Sequence, residues 1–174
     1  MWGGAFLKIL SDLFERLEIY GLDFSSSLLK VAQNVIKNGH FVLGEANNVD
    51  VLFNNKKFDV IISNSVYNYF PSKSYAVDVI KKATALLSPN GTLAILDLND
   101  VAYKNSYQAI RQGNMSDEEY AKKYDKLQHL FFDKGEIVNI ISSLGFQKII
   151  IKNQYMQGYI NNQCRFNIIA KMSL

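Results

Sequence analysis

Hydrophobic and polar positions follow a helical period at the start of the chain. Apolar residues recur three or four positions apart and predict an amphipathic helix over residues 6–17: Phe6, Leu10, Leu13 and Leu17. The run LEIYGLDF then predicts a buried strand. Ser25 follows this strand and can cap a second helix, SSLLKVAQNVIKN, which Asn38 and Gly39 close. The chain is therefore predicted to begin as helix, strand, helix.

The middle of the chain carries the most continuous hydrophobic segments. HFVLGEA is a short apolar run, and KFDVIISNS is the β-branched run typical of a central parallel strand. Pro71 and Ser72 predict the start of a helix that continues through Leu87. SPNG then predicts a turn, and TLAILDL predicts another central strand. This alternation of strands and helices is typical of a doubly wound sheet.

The last third departs from that alternation. Residues 99–132 are polar and rich in tyrosine, and a capping box formed by Ser116 and Glu119 predicts a separate helix within them. Asp133 and Glu136 offer a similar cap for the helix KGEIVNIISSL, which Gly145 ends. The runs FQKIIIKNQY and CRFNIIAKM predict an antiparallel strand pair. We therefore predict one Rossmann-like α/β domain over residues 1–174, with a mostly parallel sheet, an antiparallel C-terminal strand pair and a substrate insert at about 99–132.

Composition narrows the class of protein. The chain has 174 residues, of which 48% are hydrophobic and 20% charged, which suits one sizeable core. Its net charge of +3 comes from scattered lysines, so charge does not indicate a nucleic-acid partner. No stretch has the length of a membrane span, and the N-terminus lacks a signal-peptide pattern, so we expect a cytoplasmic protein without a membrane partner. A homo-oligomer is left open.

Cysteine and histidine are too few to indicate metal chemistry. Cys164 is alone in an apolar run, which favours packing as a small hydrophobe over nucleophilic catalysis. The two histidines lie far from it and from each other in sequence, so a zinc site is not expected.

Asp23 ends the first predicted strand, directly before the second helix. In an open α/β sheet, ligands lie beyond the carboxyl ends of the strands, and an acid at this place can accept hydrogen bonds from both ribose hydroxyls. Such a carboxylate follows a glycine-rich loop by about twenty residues, and Gly4 lies at such a distance. Asp23 could equally well only cap the helix. By itself, this residue leaves the two interpretations even.

Four segments in order strengthen the ligand interpretation: YGLDFSSSLLKVA, LGEANNVDVLF, FDVIISNSVYNYF and ALLSPNGTLAILDL. Across residues 3–98 they resemble the ribose-binding corner, the adenine loop, the fourth strand with its turn, and the fifth strand of the class I S-adenosylmethionine-dependent methyltransferases, particularly the small-molecule branch. The predicted antiparallel pair is similar to the last two strands of that family. The resemblance implies S-adenosylmethionine as the cofactor.

The resemblance also implies which residues contact this cofactor. Asp23 would bind the ribose, and Phe24 would lie against the adenine unless it packs in the core. Glu45 stands where the family usually has Asp and would accept from the adenine amino group, while the Ala46 amide meets a ring nitrogen. The remaining contacts would come from the tail of the glycine loop and from backbone carbonyls that face the ammonium: Gly3, Gly4, Ser63 and Asn64.

The resemblance places the turn YNYF, residues 67–70, beside the transferred methyl group. Tyr69 could orient the methyl acceptor there, although tyrosines at a helix edge more often only pack. His129, the one histidine of the insert, is the candidate base, and a buried structural histidine is an equal alternative. His40 is predicted to be a surface residue. The predicted function is methyl transfer to an oxygen or nitrogen of a small polar metabolite, the insert being the place that selects it.

Three other functions compete with this prediction. A nicotinamide-dependent oxidoreductase would need a G-x-G-x-x-G loop, which is absent from the sequence. A nucleic-acid amino-methyltransferase would usually carry an Asn/Asp-Pro-Pro-aromatic turn, and this chain has SNSVYNYF instead. The third alternative is a degenerate methyltransferase fold retained as a binding or assembly subunit.

The glycine loop is only half present, because the chain starts at MWGG where the family has a first strand and a loop. That strand would lie between the strand ending at Asp23 and the strand ending at Asn64. An empty slot would leave buried backbone groups unpaired, at roughly 1 to 3 kcal/mol each. We expect the two neighbours to close up, another chain to fill the slot, or the natural protein to carry about 40 more N-terminal residues. The third outcome is favoured, with weak cofactor binding by the present chain.

Overall fold

The computed structural model describes residues 5–14, 16–124 and 127–172. The chain divides into two compact units between Lys56 and Lys57, and each unit has its own sheet. Strands and helices alternate in both units, which confirms the predicted α/β class. No helix within the described ranges is long and apolar enough to cross a membrane.

In its described residues, the first unit contains a parallel strand pair and three α-helices. Its elements are α1 (Ala5–Leu13), β1 (Tyr20–Asp23), α2 (Ser26–Val35), β2 (His40–Leu43) and α3 (Val49–Leu52). Tyr20 pairs with His40 and Asp23 with Leu43, so β1 and β2 end at the same edge. The Ser25 hydroxyl accepts a hydrogen bond from the Leu28 amide at 3.4 Å, which confirms the predicted cap of α2.

The predicted end of the first helix is wrong, because α1 stops at Leu13 rather than at residue 17. Leu13 is 68% exposed and Leu17 is 48% exposed, so the apolar face that the spacing predicts is not buried at this end. Helices in proteins take most of their stability from such a packed face. A further helical turn would therefore add little stability.

The second unit holds a four-stranded mixed sheet. Its elements are β3 (Phe58–Asn64), α4 (Lys73–Ala85), β4 (Leu87–Asn99), α5 (Lys104–Gln112), α6 (Asp117–Tyr124), α7 (Lys134–Ser143), β5 (Phe146–Asn153) and β6 (Arg165–Met172). The strand order is β3-β4-β6-β5; β3 is parallel to β4, and the other two pairs are antiparallel. The predicted antiparallel C-terminal pair is confirmed.

The side chains that fill this unit come from both helices and strands. Ile80 of α4, Ile95 of β4, Ile141 of α7, and Phe166 and Ile168 of β6 are all buried, each at 1% exposure or less. The predicted helix starts are confirmed as well. Ser72 accepts from the Tyr75 amide at 3.1 Å, and Asp133 accepts from the Glu136 amide at 2.9 Å.

Two predicted boundaries in this unit are wrong. The helix expected to run through Leu87 ends at Ala85, and SPNG is not a turn before the strand but an irregular part of β4 itself. The register against β3 jumps from the Phe58–Leu87 pair to the Val60–Thr92 pair, so the extra residues bulge out of β4. Asn90, with φ of 63°, takes the left-handed conformation that this bulge requires.

The pairing of β1 and β3 bears on the slot expected between them. In the described ranges β1 pairs with β2 and β3 pairs with β4, in separate sheets. All three outcomes considered for the slot, including a longer natural chain, stay predictions.

Candidate functional site

Asp23 is buried at the end of β1, with 6% of its surface exposed. Its Oδ1 atom accepts from the Ser25 amide at 2.9 Å, and its backbone carbonyl accepts from the Gly44 amide at 3.0 Å. Ser25 caps α2, and the Asp23 carboxylate accepts from the amide of this cap residue, so Asp23 also supports the entry into the helix. Asp23 is thus a buried acid fixed at the end of a strand.

Phe24 and Glu45 are the exposed neighbours of this acid along the chain. Phe24 is 75% exposed, which rules out the core packing that was its alternative. Glu45 is also exposed and precedes a 3₁₀ turn over Ala46–Asn48 without capping it. Gly3 and Gly4, the predicted tail of the glycine loop, lie outside the described residues.

The carboxyl end of β3 leads into a second group of predicted residues. Ser63 and Asn64 pair with Ile95 and Leu96 of β4 and are half-buried. Ser65 follows with φ of 54°, in the left-handed region that few non-glycine residues adopt. This bend redirects the chain into a 3₁₀ turn over Tyr67–Tyr69, here called the aromatic turn.

The aromatic turn and the insert meet at His129. The Tyr69 ring contacts the imidazole edge-on, with centroids 4.6 Å apart, and Tyr69 is 53% exposed. On the other side, the Tyr107 hydroxyl lies 2.5 Å from His129 Nδ1 and the Arg111 NH1 nitrogen lies 3.5 Å from the same atom. The structure therefore brings together both residues predicted to act on the acceptor.

The contacts of His129 determine its protonation. Burial, with further contributions from Arg111 and Arg165, lowers the pKa of His129 from 6.5 to about 4, so the ring is neutral at neutral pH. A guanidinium can only donate hydrogen bonds, so Nδ1 serves as the acceptor and the proton resides on Nε2. Nε2 is buried with no hydrogen-bond partner in the described part of the chain. His129 thus offers a donor at Nε2.

A buried charged cluster next to this site was not predicted from the sequence. Asp97 of β4 and Arg165 of β6 are 6% and 5% exposed, and Arg165 NH1 lies 3.4 Å from Asp97 Oδ2. Asp97 also accepts hydrogen bonds from the hydroxyls of Ser65 and Tyr159. The guanidinium of Arg165 in turn lies 5.3 Å from the centre of the Tyr107 ring. The sequence does carry a signal for this cluster, because a charged residue interrupts each of two apolar strand runs, LDL and CRF.

Asn68 joins the aromatic turn to both β4 and the insert. Its side-chain amide donates to the Asp97 carbonyl at 2.7 Å and accepts from the Asn99 amide at 2.8 Å. Its backbone carbonyl accepts from the Leu130 amide at 2.9 Å, next to His129. Asn68 is 1% exposed, so these bonds are shielded from water. They fix the aromatic turn against the segment that carries His129.

The remaining chemically interesting side chains lie apart from this arrangement. His40 is exposed and stacks on Tyr20 with ring centroids 4.7 Å apart, which confirms a surface position. Cys164 is completely buried, and burial raises the pKa of its thiol, as expected of a packing residue. Among the described residues no cluster of His, Cys, Asp and Glu could hold a metal ion.

The strand–acid–helix arrangement of the first unit and the mixed sheet of the second are typical of Rossmann-like α/β proteins. The chain belongs to the methyltransferase family whose profile is described as "Methyltransferase domain", which matches residues 3–142. This match confirms the resemblance drawn from the four ordered segments.

Individual relatives agree with the family. The chain is 32% identical over 95 residues to a demethylmenaquinone methyltransferase of Thermotoga maritima, a match that covers 55% of this chain and 39% of that enzyme. An O-methyltransferase family protein from Burkholderia thailandensis has a TM-score of 0.68 at 14% identity, covering 99% of this chain and 48% of the other. The N-methyltransferase NodS from Bradyrhizobium japonicum, solved with S-adenosylhomocysteine, has a TM-score of 0.66 at 14% identity, covering 98% and 73%.

The chain spans well under two thirds of the first two relatives. At such low identity, the two structural relatives establish the fold rather than the reaction.

Proposed function

We propose that this protein is an S-adenosylmethionine-dependent methyltransferase that acts on an oxygen or nitrogen of a small polar metabolite. One observation carries the proposal: a buried carboxylate, Asp23, and a 75% exposed aromatic ring, Phe24, stand side by side at the end of a strand in a methyltransferase-family chain. A ribose needs the first and an adenine face suits the second. Relatives of this fold include an N-methyltransferase solved with S-adenosylhomocysteine.

The residues of the first unit fit this cofactor. Asp23 binds the ribose hydroxyls, Phe24 covers one adenine face, and Glu45 with the Ala46 amide binds the adenine edge. The parts proposed for Gly3, Gly4, Ser63 and Asn64, at the methionine portion, rest on the family resemblance alone. When bound, the cofactor would supply an activated sulfonium methyl group, which a lone pair of the acceptor would take up as the acceptor gives up a proton.

The residues of the second unit position the acceptor. Because the sulfonium already activates the methyl group, alignment and exclusion of water supply much of the rate. The Tyr69 hydroxyl and the His129 Nε2–H group hydrogen-bond to the acceptor. With a pKa of about 4, His129 is a weak base, so its proposed part is to orient the acceptor, and the released proton passes to solvent.

Calorimetry with S-adenosylhomocysteine tests the cofactor assignment. We expect binding by the wild type, no binding of NADH, and a loss of at least about tenfold in affinity for Asp23→Asn, because a neutral amide is a poorer acceptor for two hydroxyls. The matched control is Asp59→Asn, which removes an exposed carboxylate of β3 and should bind like the wild type. An Asp23→Asn variant that binds with unchanged affinity contradicts the assignment.

Turnover tests the acceptor residues separately. A screen of metabolites with labelled cofactor identifies the acceptor, and the double variant Tyr69→Phe/His129→Gln should then lower kcat by about a hundredfold, as expected when positioning is lost. Its affinity for S-adenosylhomocysteine should stay unchanged. Full turnover by the double variant removes both residues from the mechanism. Cofactor binding without turnover on any metabolite favours the degenerate, binding-only alternative.

A further inference from the structure

The insert forms a half-open cavity of about 440 Å³, which is in the ordinary size range for a small-molecule site. It lies between α5, α6 and the segment 127–131, all within the second unit. Six of its lining residues carry the chemistry of the cavity: Lys104, Tyr107, Arg111, Tyr120, Tyr124 and His129. We call it the insert cavity.

The charge of the insert cavity has one sign. Lys104 and Arg111 of α5 contribute two positive charges, and none of the described lining residues is Asp or Glu. His129 is neutral at physiological pH, so it neither adds to this charge nor offsets it. A cavity of this kind selects an anion over a neutral or cationic molecule of the same shape.

Arg111 is held in place by contacts that use one part of its guanidinium. Its NH1 nitrogen donates to the Leu127 carbonyl at 3.2 Å, and the guanidinium carbon lies 3.8 Å from the centre of the Tyr124 ring. Stacking of this kind keeps the guanidinium plane fixed. The contacts with described residues engage NH1, which leaves the other N–H groups to form the paired hydrogen bonds that a carboxylate accepts.

Aromatic rings form the walls of the insert cavity. Tyr107, Tyr120, Tyr124 and Phe131 all line it; Tyr120 and Tyr124 contact each other with centroids 5.0 Å apart, and Tyr107 meets Phe131 at 5.4 Å. Flat rings favour a flat ligand, because stacked and edge-on contacts use the whole ring surface. The walls therefore complement an aromatic ligand rather than a flexible one.

His129 adds a directional donor to these walls. Its Nε2 is buried without a partner among the residues that the structure describes, while its Nδ1 is held by Tyr107. Buried polar atoms are rarely left unpaired in proteins, so a ligand atom is the natural partner for Nε2–H. An oxygen or nitrogen substituent on the aromatic ring would provide it.

We propose that the insert cavity binds the methyl acceptor as a hydroxy- or amino-substituted aromatic carboxylate. Arg111 binds the carboxylate with support from Lys104, the tyrosine rings stack on the aromatic ring, and His129 Nε2–H donates to the substituent. That this ligand is the methyl acceptor rests on the proposed function. The binding chemistry itself rests only on the insert cavity.

Binding of a matched pair of probes, without cofactor, tests the inference. By ligand-observed NMR and calorimetry, 4-hydroxybenzoate should bind about tenfold more tightly than neutral 4-hydroxybenzamide, since one charge-assisted contact separates them. Arg111→Met should lose that preference, and Arg111→Lys should keep part of it. The control is Lys122→Met, which removes one positive charge from an exposed α6 position outside the cavity and should behave like the wild type.

A second variant and a measurement of cofactor binding complete the test. Lys104→Met should weaken 4-hydroxybenzoate binding without touching the bond from Arg111 to Leu127, so the inference is tested even if Arg111→Met unfolds the insert. Equal affinity of the wild type for the two probes, or no binding at about 10 mM, overturns the inference. Arg111→Met should retain the wild-type affinity for S-adenosylhomocysteine, so failure of the insert cavity and failure of the cofactor assignment give different results.

Discussion

Asp97 illustrates how a single buried residue can hold several parts of the site. It receives hydrogen bonds from Ser65 and Tyr159 and faces the guanidinium of Arg165, in a backbone conformation with φ of 62°. A buried charge that loses its partner is strongly destabilising, whereas an intact pair contributes little net stability. The value of this cluster therefore lies in the geometry it imposes on β3, β4 and β6.

We predict that Asp97→Asn lowers the free energy of unfolding by about 3 to 5 kcal/mol, because it leaves Arg165 buried without a counter-ion. Asparagine tolerates the left-handed backbone conformation about as well as aspartate, so the substitution isolates the charge. Urea unfolding measures the change. Asp78→Asn, which breaks a half-buried helical pair with Lys82, should cost less than about 1 kcal/mol, and equal losses in the two variants would refute the argument.

His129 should make stability depend on pH in a defined window. Its pKa is about 4 in the folded protein and 6.5 when unperturbed, so the unfolded chain binds more protons between these values. The stability associated with the neutral ring is therefore complete above about pH 6.5 and is lost as the pH falls towards 4. Urea midpoints at several pH values should fall less steeply for His129→Gln than for the wild type. An identical slope would show that the histidine is not the group responsible.

At the scale of elements, α6 has a start that the sequence fully specified. Ser116 accepts from the Glu119 amide at 3.2 Å, and the Glu119 carboxylate accepts from the Ser116 amide at 2.9 Å, which confirms the predicted capping box. The exposed face of α6 offers little other support, since none of its residues is buried. Its order should therefore depend on this cap more than that of the other helices does.

We predict that Ser116→Ala destabilises α6 by about 1 kcal/mol, the usual effect of losing such a cap. Hydrogen exchange of the α6 amides should speed up by about fivefold, with little change in α4 or α7. Since Tyr120 and Tyr124 of α6 line the insert cavity, binding of 4-hydroxybenzoate should also weaken. Ser106→Ala, at an exposed position within α5, is the control and should leave the α6 amides unaffected.

The boundaries of the elements depend partly on local sequence and partly on distant parts of the chain. Local signals such as the caps at Ser25, Ser72 and Asp133 are properties of a few adjacent residues, so the sequence contained them in full. The early end of α1 and the bulge in β4 depend on what the surrounding chain buries and pairs. Those are long-range properties that spacing alone does not encode.

At the scale of the whole molecule, the same division holds for the candidate residues of each unit. The carboxylate at Asp23, the aromatic turn and His129 were predicted because each follows a recognisable strand or lies in a recognisable insert. The Asp97–Arg165 pair was missed because its members are 68 residues apart in the chain, on antiparallel neighbours. The tautomer and low pKa of His129 could not be predicted either, since they depend on Tyr107 and Arg111 packing around the ring.

Chemical labelling of Cys164 measures how cooperatively the second unit unfolds. It is the only cysteine of the chain, and it is completely buried beside the start of β6. We predict that an aromatic disulfide reagent reacts negligibly with the native protein and fully in urea, because burial both blocks access and raises the pKa of the thiol. Fast labelling without denaturant would show that this part of the second unit opens locally.

The side-chain amide of Asn68 both donates and accepts a hydrogen bond, which limits the substitutions that this position tolerates. A single-nucleotide change converts an asparagine codon into an aspartate codon, and the new side chain has almost the same shape. It would nevertheless place an acceptor oxygen against the Asp97 carbonyl, where the amide now donates at 2.7 Å. A protein with this otherwise mild substitution should lose the contact between the aromatic turn and β4. Purifying selection should therefore be visible at codon 68, even where the neighbouring exposed Tyr69 varies with the substrate.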